Sequence, residues 1–289
     1  MSQASDSHFR HILLLNLGIL CISTSGVLGR YISLAPTQII FWRSSLAFLC
    51  LFFWVALKRK SIFNQFQTDP IALVVSGFLL GLHWVTYFYA LQWSSVAIGM
   101  LSLYTFPIIT AFLEPLFGPE RFQIKHFILG IGLLFGIYLI SPEIDWKNQQ
   151  FLAVGMGVFS AVCFSFRNLL LKKRSQNTDG QTIMTTQVAI ISIFLLPVAL
   201  QSPITPVVSN GTALFFLALI TTVIGHSLFL QSFQKFSITT ASLISCLQPL
   251  YGIIMGAIWL QEYPQAKTLV GGGIILSAVG YEIYTLSKK

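Results

Sequence analysis

Long apolar runs separated by short polar breaks dominate the chain. Ten runs stand out, at roughly 11–31, 36–57, 70–91, 95–117, 124–141, 151–171, 182–201, 211–232, 238–260 and 266–286. A helix needs about 20 apolar residues to cross a bilayer, and the runs are close to that length. None alternates with a period of two, so barrel strands are excluded. The breaks hold residues that stop helices: Asp69-Pro70, Gly118-Pro119, Pro142, the stretch 176–180, Ser202-Pro203, Pro206 and Pro264. The pattern predicts an all-α integral membrane protein of ten transmembrane helices with little chain outside the bilayer.

Composition agrees. Of 289 residues, 55% are hydrophobic and 9% charged, with a mean hydropathy of +0.76. A soluble domain carries about 25% charged residues, and a disordered chain has few apolar ones; both classes are excluded. The net charge of +8 matters through its placement. With a cytosolic N-terminus, twelve basic residues fall on the cytosolic side, among them Lys58, Arg59, Lys60, Lys172, Lys173, Arg174, Lys288 and Lys289. Three fall outside: Arg30, Lys147 and Lys267. That asymmetry places both termini in the cytosol of a multi-pass protein of the cytoplasmic (inner) membrane. It is unlike a nucleic-acid-binding stripe, and no nucleic-acid partner is expected. The cysteines (Cys21, Cys50, Cys163, Cys246) lie inside apolar runs and read as small core residues. No metal site, cofactor or cleavable signal peptide is expected.

The chain repeats itself. Residues 89–130 resemble 231–272 at an offset of 142, which sets Pro107 on Pro249, Glu120 on Glu262, Lys125 on Lys267 and Gly130 on Gly272. A weaker match, at 137, sets Gly18 on Gly155, Ser23 on Ser160 and Arg30 on Arg167. The reading is two halves, 1–145 and 146–289, of five helices each. Five is odd, so the second half enters the membrane from the opposite side. Inverted repeats point to alternating access around a central site between the halves.

These residues carry a family resemblance. Phe41-Trp42-Arg43 opens the second span; Pro107…Gly118-Pro119-Glu120 has a copy in Pro249…Leu260-Gln261-Glu262, each followed by a Gly-rich span. The chain resembles the EamA branch of the drug/metabolite transporter superfamily over nearly its whole length. The resemblance implies small-molecule carriers, often exporters of amino acids or other metabolites. It implies ten helices in two inverted halves around a central cavity. Arg30 stands where the family commonly has a lysine, and Glu114-Pro115 adds a carboxylate outside the family pattern.

Ionisable residues inside spans cost at least a few kcal/mol each at the centre, so each is a functional candidate. Arg43 lies seven residues past Pro36, about 10 Å into its helix. It would hold a substrate carboxylate, tie two helices together, or snorkel outward. Arg30 and Arg167 read as interfacial anchors. Glu114 reads as a wetted acid near a span end, with a proton or gating role as the sharper alternative. Glu120 and Glu262 start the next helix or pair with a nearby base. His83 and His226 lie mid-span, offset by 143 and not 142, so a shared face is not assured. Each is a proton relay or a histidine bonded to a neighbouring helix. Trp84, Tyr87, Tyr104, Gln231, Gln248 and Tyr251 complete the candidate substrate-binding set. Pro107 and Pro249 join the gating candidates, because each breaks a helix.

The expected function is a secondary transporter that moves a small organic metabolite by alternating access. An amino acid or related amphipathic solute is favoured, with export and proton coupling. An importer or exchanger of a nucleotide-like or cofactor-like metabolite is the alternative. No P-loop supplies ATP drive. No paired acids or histidines mark a membrane-embedded enzyme, so the chain is read as non-enzymatic. A homodimer is compatible with this reading.

Overall fold

The computed structural model describes residues 2–59, 69–117, 124–141, 145–171, 179–232, 245 and 247–287. Glu120, the cluster Lys172–Arg174, Cys246, Lys288 and Lys289 lie outside the described residues. The described residues are helical, without strands. The helices are α1 (Ser2–Tyr31), α2 (Pro36–Leu57) and α3 (Pro70–Trp93). Next come α4 (Val96–Leu116), α5 (Ile124–Ile140), α6 (Gln149–Leu171) and α7 (Gly180–Leu200). Then follow α8 (Gly211–Ser232), α9 (Leu247–Trp259) and α10 (Ala266–Ser287). Seven of them, α1–α4 and α6–α8, are long and apolar enough to cross a membrane; α5, α9 and α10 hold shorter apolar stretches.

Local chemistry sets the helix starts. Pro36 and Pro70 occupy first turns, where a missing N–H costs nothing. Asp69 accepts the Ala72 N–H at 3.0 Å, and Ser95 accepts that of Ile98 at 3.3 Å. Two spans are irregular. α4 breaks at Tyr104-Thr105, just before Pro107, then resumes as Phe106–Leu113 and ends in a 3-10 turn at Glu114–Leu116. α8 is π-helical from Leu217 to His226, a form frequent at functional sites. Pro249 is the third residue of α9.

Helix pairing is symmetric when α1–α5 are exchanged with α6–α10. α3 packs on α6 as α8 packs on α1; α4 packs on α6 as α9 packs on α1. The self-corresponding pairs α2 with α7, α4 with α9, and α5 with α10 also touch. Small residues allow the closest approaches. A Cβ built on Gly271 would stand 2.8 Å from the carbonyl of Gly136, and one on Gly225 would stand 3.1 Å from the Ile22 nitrogen. Phe53, Leu57, Ile71, Leu134, Ile193 and Val270 are exposed, a belt that suits lipid and would aggregate in water. Cys21 and Cys50 are half-buried and Cys163 is buried, all as free thiols.

One end of the bundle is pinned across the halves. Here α1 ends, α2 and α4 begin, and α9 turns into α10; it is called the distal end below. Arg30 donates from Nε to Glu262 Oε1 and from Nη1 to the Gln92 carbonyl, both at 2.8 Å. Glu262 Oε2 accepts the Val96 N–H at 2.9 Å, capping α4. The Gln92 amide donates to the Leu34 carbonyl at 2.9 Å. Arg30 is thus an inter-half tie and not merely an interfacial anchor, and Glu262 finds the basic partner its position suggests.

Candidate functional site

A cavity lies between the halves, with about 710 Å³ of space between its side chains, open mouth included. α1 to α4 wall one side; α6, α8 and α9 wall the other. Several lining residues, including Arg167, Phe229, Leu230 and Ser245, fall near the helix ends opposite the distal seal.

Arg43 is 1% exposed and stands wholly inside. Its Nε donates to Thr222 Oγ1 at 2.8 Å, which reaches from α2 into the π-helical segment of α8. Its guanidinium carbon lies 4.0 Å from the centre of the Trp84 ring, a cation–π contact. Its Nη2 has no hydrogen-bond partner. Arg43 therefore does not snorkel; it is a helix tie whose buried Nη2 is left over.

Arg167 reads from sequence as an anchor, since it closely precedes Lys172–Arg174. The structure corrects this: Arg167 is 5% exposed and lines the cavity. Nη2 donates to Gln187 Oε1 at 2.5 Å and Nη1 to Asn168 Oδ1 at 3.0 Å. Gln187 in turn donates to Ser76 Oγ at 3.2 Å, so the network joins α6, α7 and α3. Nε is buried without a partner.

The two histidines do share the cavity, despite their offset. The i→i+5 bonding around His226 absorbs register differently from an α-helix, so residue counting misjudges its face. His83 is held by Ser160 of α6. The Ser160 hydroxyl donates to the His83 carbonyl at 2.8 Å, and His83 Nδ1 lies 2.7 Å from that hydroxyl. With the hydroxyl proton so used, Nδ1 is the donor in this contact. The ring stacks on Phe164 at 4.6 Å. His226 packs against Trp84 at 5.6 Å.

Tyr104 sits at the break in α4. Its hydroxyl donates to the Ser245 carbonyl, with Gln248 Oε1 3.1 Å away. Tyr87 and Gln248 also line the cavity. Other candidates fall elsewhere. Gln231 is exposed on the last turn of α8 and does not line the cavity. Tyr251 donates to Asn16 Oδ1 at 2.8 Å and is not a lining residue, although it packs beside Ile19, which is. Glu114 is half-buried in the 3-10 turn and is not a lining residue. Pro107 and Pro249 do not line it either, although their neighbours Phe106 and Gln248 do. Ser25, Phe106, Phe164 and Phe229 also line the cavity and do not stand out in the sequence. As single small or aromatic residues in apolar spans they carry no signal that sets them apart.

A polytopic helical bundle with a polar, aromatic-walled cavity between two symmetrically paired halves is the architecture of a small-molecule carrier. The EamA-like transporter family matches the chain twice, over residues 9–141 and 151–281. The chain belongs to that family, as its duplicated Pro and Glu pattern indicates. It is 21% identical over 246 residues to the pseudopaline exporter of Pseudomonas aeruginosa, covering 85% of each chain. It is 22% identical over 292 residues to the S-adenosylmethionine uptake transporter of Rickettsia conorii, covering 100% of this chain and 97% of that one. A solved crystal structure matches with a TM-score of 0.64 over 97% of both chains at 16% identity, a likeness of fold. The chain is a multi-pass membrane protein and a small-molecule transporter.

Proposed function

We propose that the chain is a secondary transporter of the cytoplasmic membrane, moving a small organic metabolite by alternating access. The halves 1–145 and 146–289 act as inverted five-helix repeats, with ten spans and both termini in the cytosol. One observation carries this reading: the cavity lies between the halves, while one end of the bundle is pinned across them by Arg30 and Glu262. The symmetric helix pairing supports the repeat. In this topology the distal end is the outer one, so the cavity belongs to the cytosolic side. Transport then requires the Arg30–Glu262 contact to part while the cytosolic side closes.

Proteoliposomes test it. Flux of a solute that stabilises the purified chain should be saturable, and it should stop when residues 30 and 262 are replaced by cysteines and cross-linked. Unchanged flux in the cross-linked protein would exclude movement at the distal end.

A further inference from the structure

Resting on the carrier reading, we propose that the transported solute is an organic anion, whose carboxylate or phosphate is held in turn by Arg43 and Arg167 against aromatic walls.

The charge balance of the cavity leads there. Two guanidinium groups line it, and both are almost wholly buried. A buried cation ordinarily sits beside an acid, since an unpaired charge is costly out of water. Among the described lining residues there is no Asp or Glu. The protein partners of both arginines are neutral: Thr222 for Arg43, Asn168 and Gln187 for Arg167.

Hydrogen-bond geometry points the same way. The neutral partners fix each guanidinium and leave a buried nitrogen without an acceptor on each, Nη2 on Arg43 and Nε on Arg167. Buried N–H groups without acceptors are rare. An anionic oxygen would satisfy them with charge-assisted bonds, which are the stronger kind. An ammonium group would meet two positive charges and no carboxylate. Neutral amines, cations and zwitterions thus gain less from this cavity than anions.

The two arginines also divide the path. Arg43 lies about 10 Å from the distal start of α2, at seven residues and 1.5 Å per residue. Arg167 lies about 6 Å from the opposite end of the bundle, four residues before the end of α6. Trp84, Phe164, Phe106 and Tyr104 supply flat apolar surface in the same cavity. The match is an amphipathic anion: an acidic group beside a ring or aliphatic body, handed between two guanidinium sites.

Thermal unfolding of the purified full chain tests this with probes matched in shape and different in charge. Indole-3-acetate is the carboxylate, phenyl phosphate the phosphate arm, indole-3-acetamide the neutral isostere, tryptamine the cation and tryptophan the zwitterion. At least one anion should raise Tm and bind about tenfold tighter than the amide or the amine. Which anion does so separates a carboxylate from a phosphate preference. Arg43→Gln and Arg167→Gln should each lose about tenfold in that affinity, and the Lys variants should retain part of it. If a Gln variant fails to fold, the comparison among probes on the native chain still decides the sign. The proposal falls if the amide, amine or zwitterion binds as tightly as the anions. It also falls if no anion shifts Tm, or if anion binding is unchanged in both Gln variants. Vesicle flux keeps the two readings apart. An anion that binds but does not cross removes the carrier reading and leaves the site; a cation that crosses does the reverse.

Discussion

Glu262 uses both carboxylate oxygens at once, pairing with Arg30 at 2.8 Å through one and capping α4 at Val96 through the other. The two side chains are 36% and 22% exposed, for Arg30 and Glu262 respectively, so the ion pair alone is modest. The cap adds about 1 kcal/mol. Glu262→Ala should therefore lower Tm more than Glu262→Gln, which keeps an acceptor for the Val96 N–H. Arg30→Glu combined with Glu262→Arg should recover less than the native stability, because an arginine cannot accept that N–H. Full recovery, measured by thermal unfolding, would mean that the pair matters and the cap does not.

Gly271 and Gly132 should respond in opposite ways to alanine. A Cβ on Gly271 would meet the Gly136 carbonyl at 2.8 Å and Ile140 at 2.9 Å, pressing α10 off α5. Such overpacking costs about 1–3 kcal/mol. Gly132 has open space around its missing Cβ. Gly132→Ala should be neutral or stabilising by up to about 1 kcal/mol, through helix propensity. Equal Tm changes in the two variants would count against the close α5–α10 contact.

The histidines should divide their roles. His83 is fastened to Ser160, so His83→Gln should lower Tm by the equivalent of about 1 kcal/mol for the lost bond. His226 lines the cavity against Trp84. His226→Gln should change the affinity of a solute that stabilises the chain, and should move the Tm of the free protein less than His83→Gln does. Equal Tm losses in the two variants, with solute affinity unchanged in His226→Gln, would remove that division.

Much of the fold is legible in the sequence because its helix boundaries are local chemistry. Asp69-Pro70 and Ser95 mark helix starts by their own side chains, and Pro107 marks a break by its missing N–H. The faces of the helices are much less legible. Lipid and protein interior are both apolar, so a span need not be amphipathic, and periodicity does not tell inside from outside. Gln231 and Gln248 look alike in sequence, yet one is exposed and the other lines the cavity. Arg167 was obscured by its basic neighbours. The structure buries it where α6 packs against α3 and where its guanidinium meets Gln187 of α7. The π-helical stretch that brings Thr222 to Arg43 and His226 into the cavity has no composition signal at all.

Transport by this route requires the distal end to open and close. Spin labels at Tyr31 and Tyr263, both well exposed near that end, would report it by pulsed electron–electron distance measurement in lipid, with the native cysteines replaced. Two distance populations are expected in the native background, with Glu262→Gln shifting weight toward the longer one. A single distribution, unmoved by Glu262→Gln, would contradict alternating access through this end.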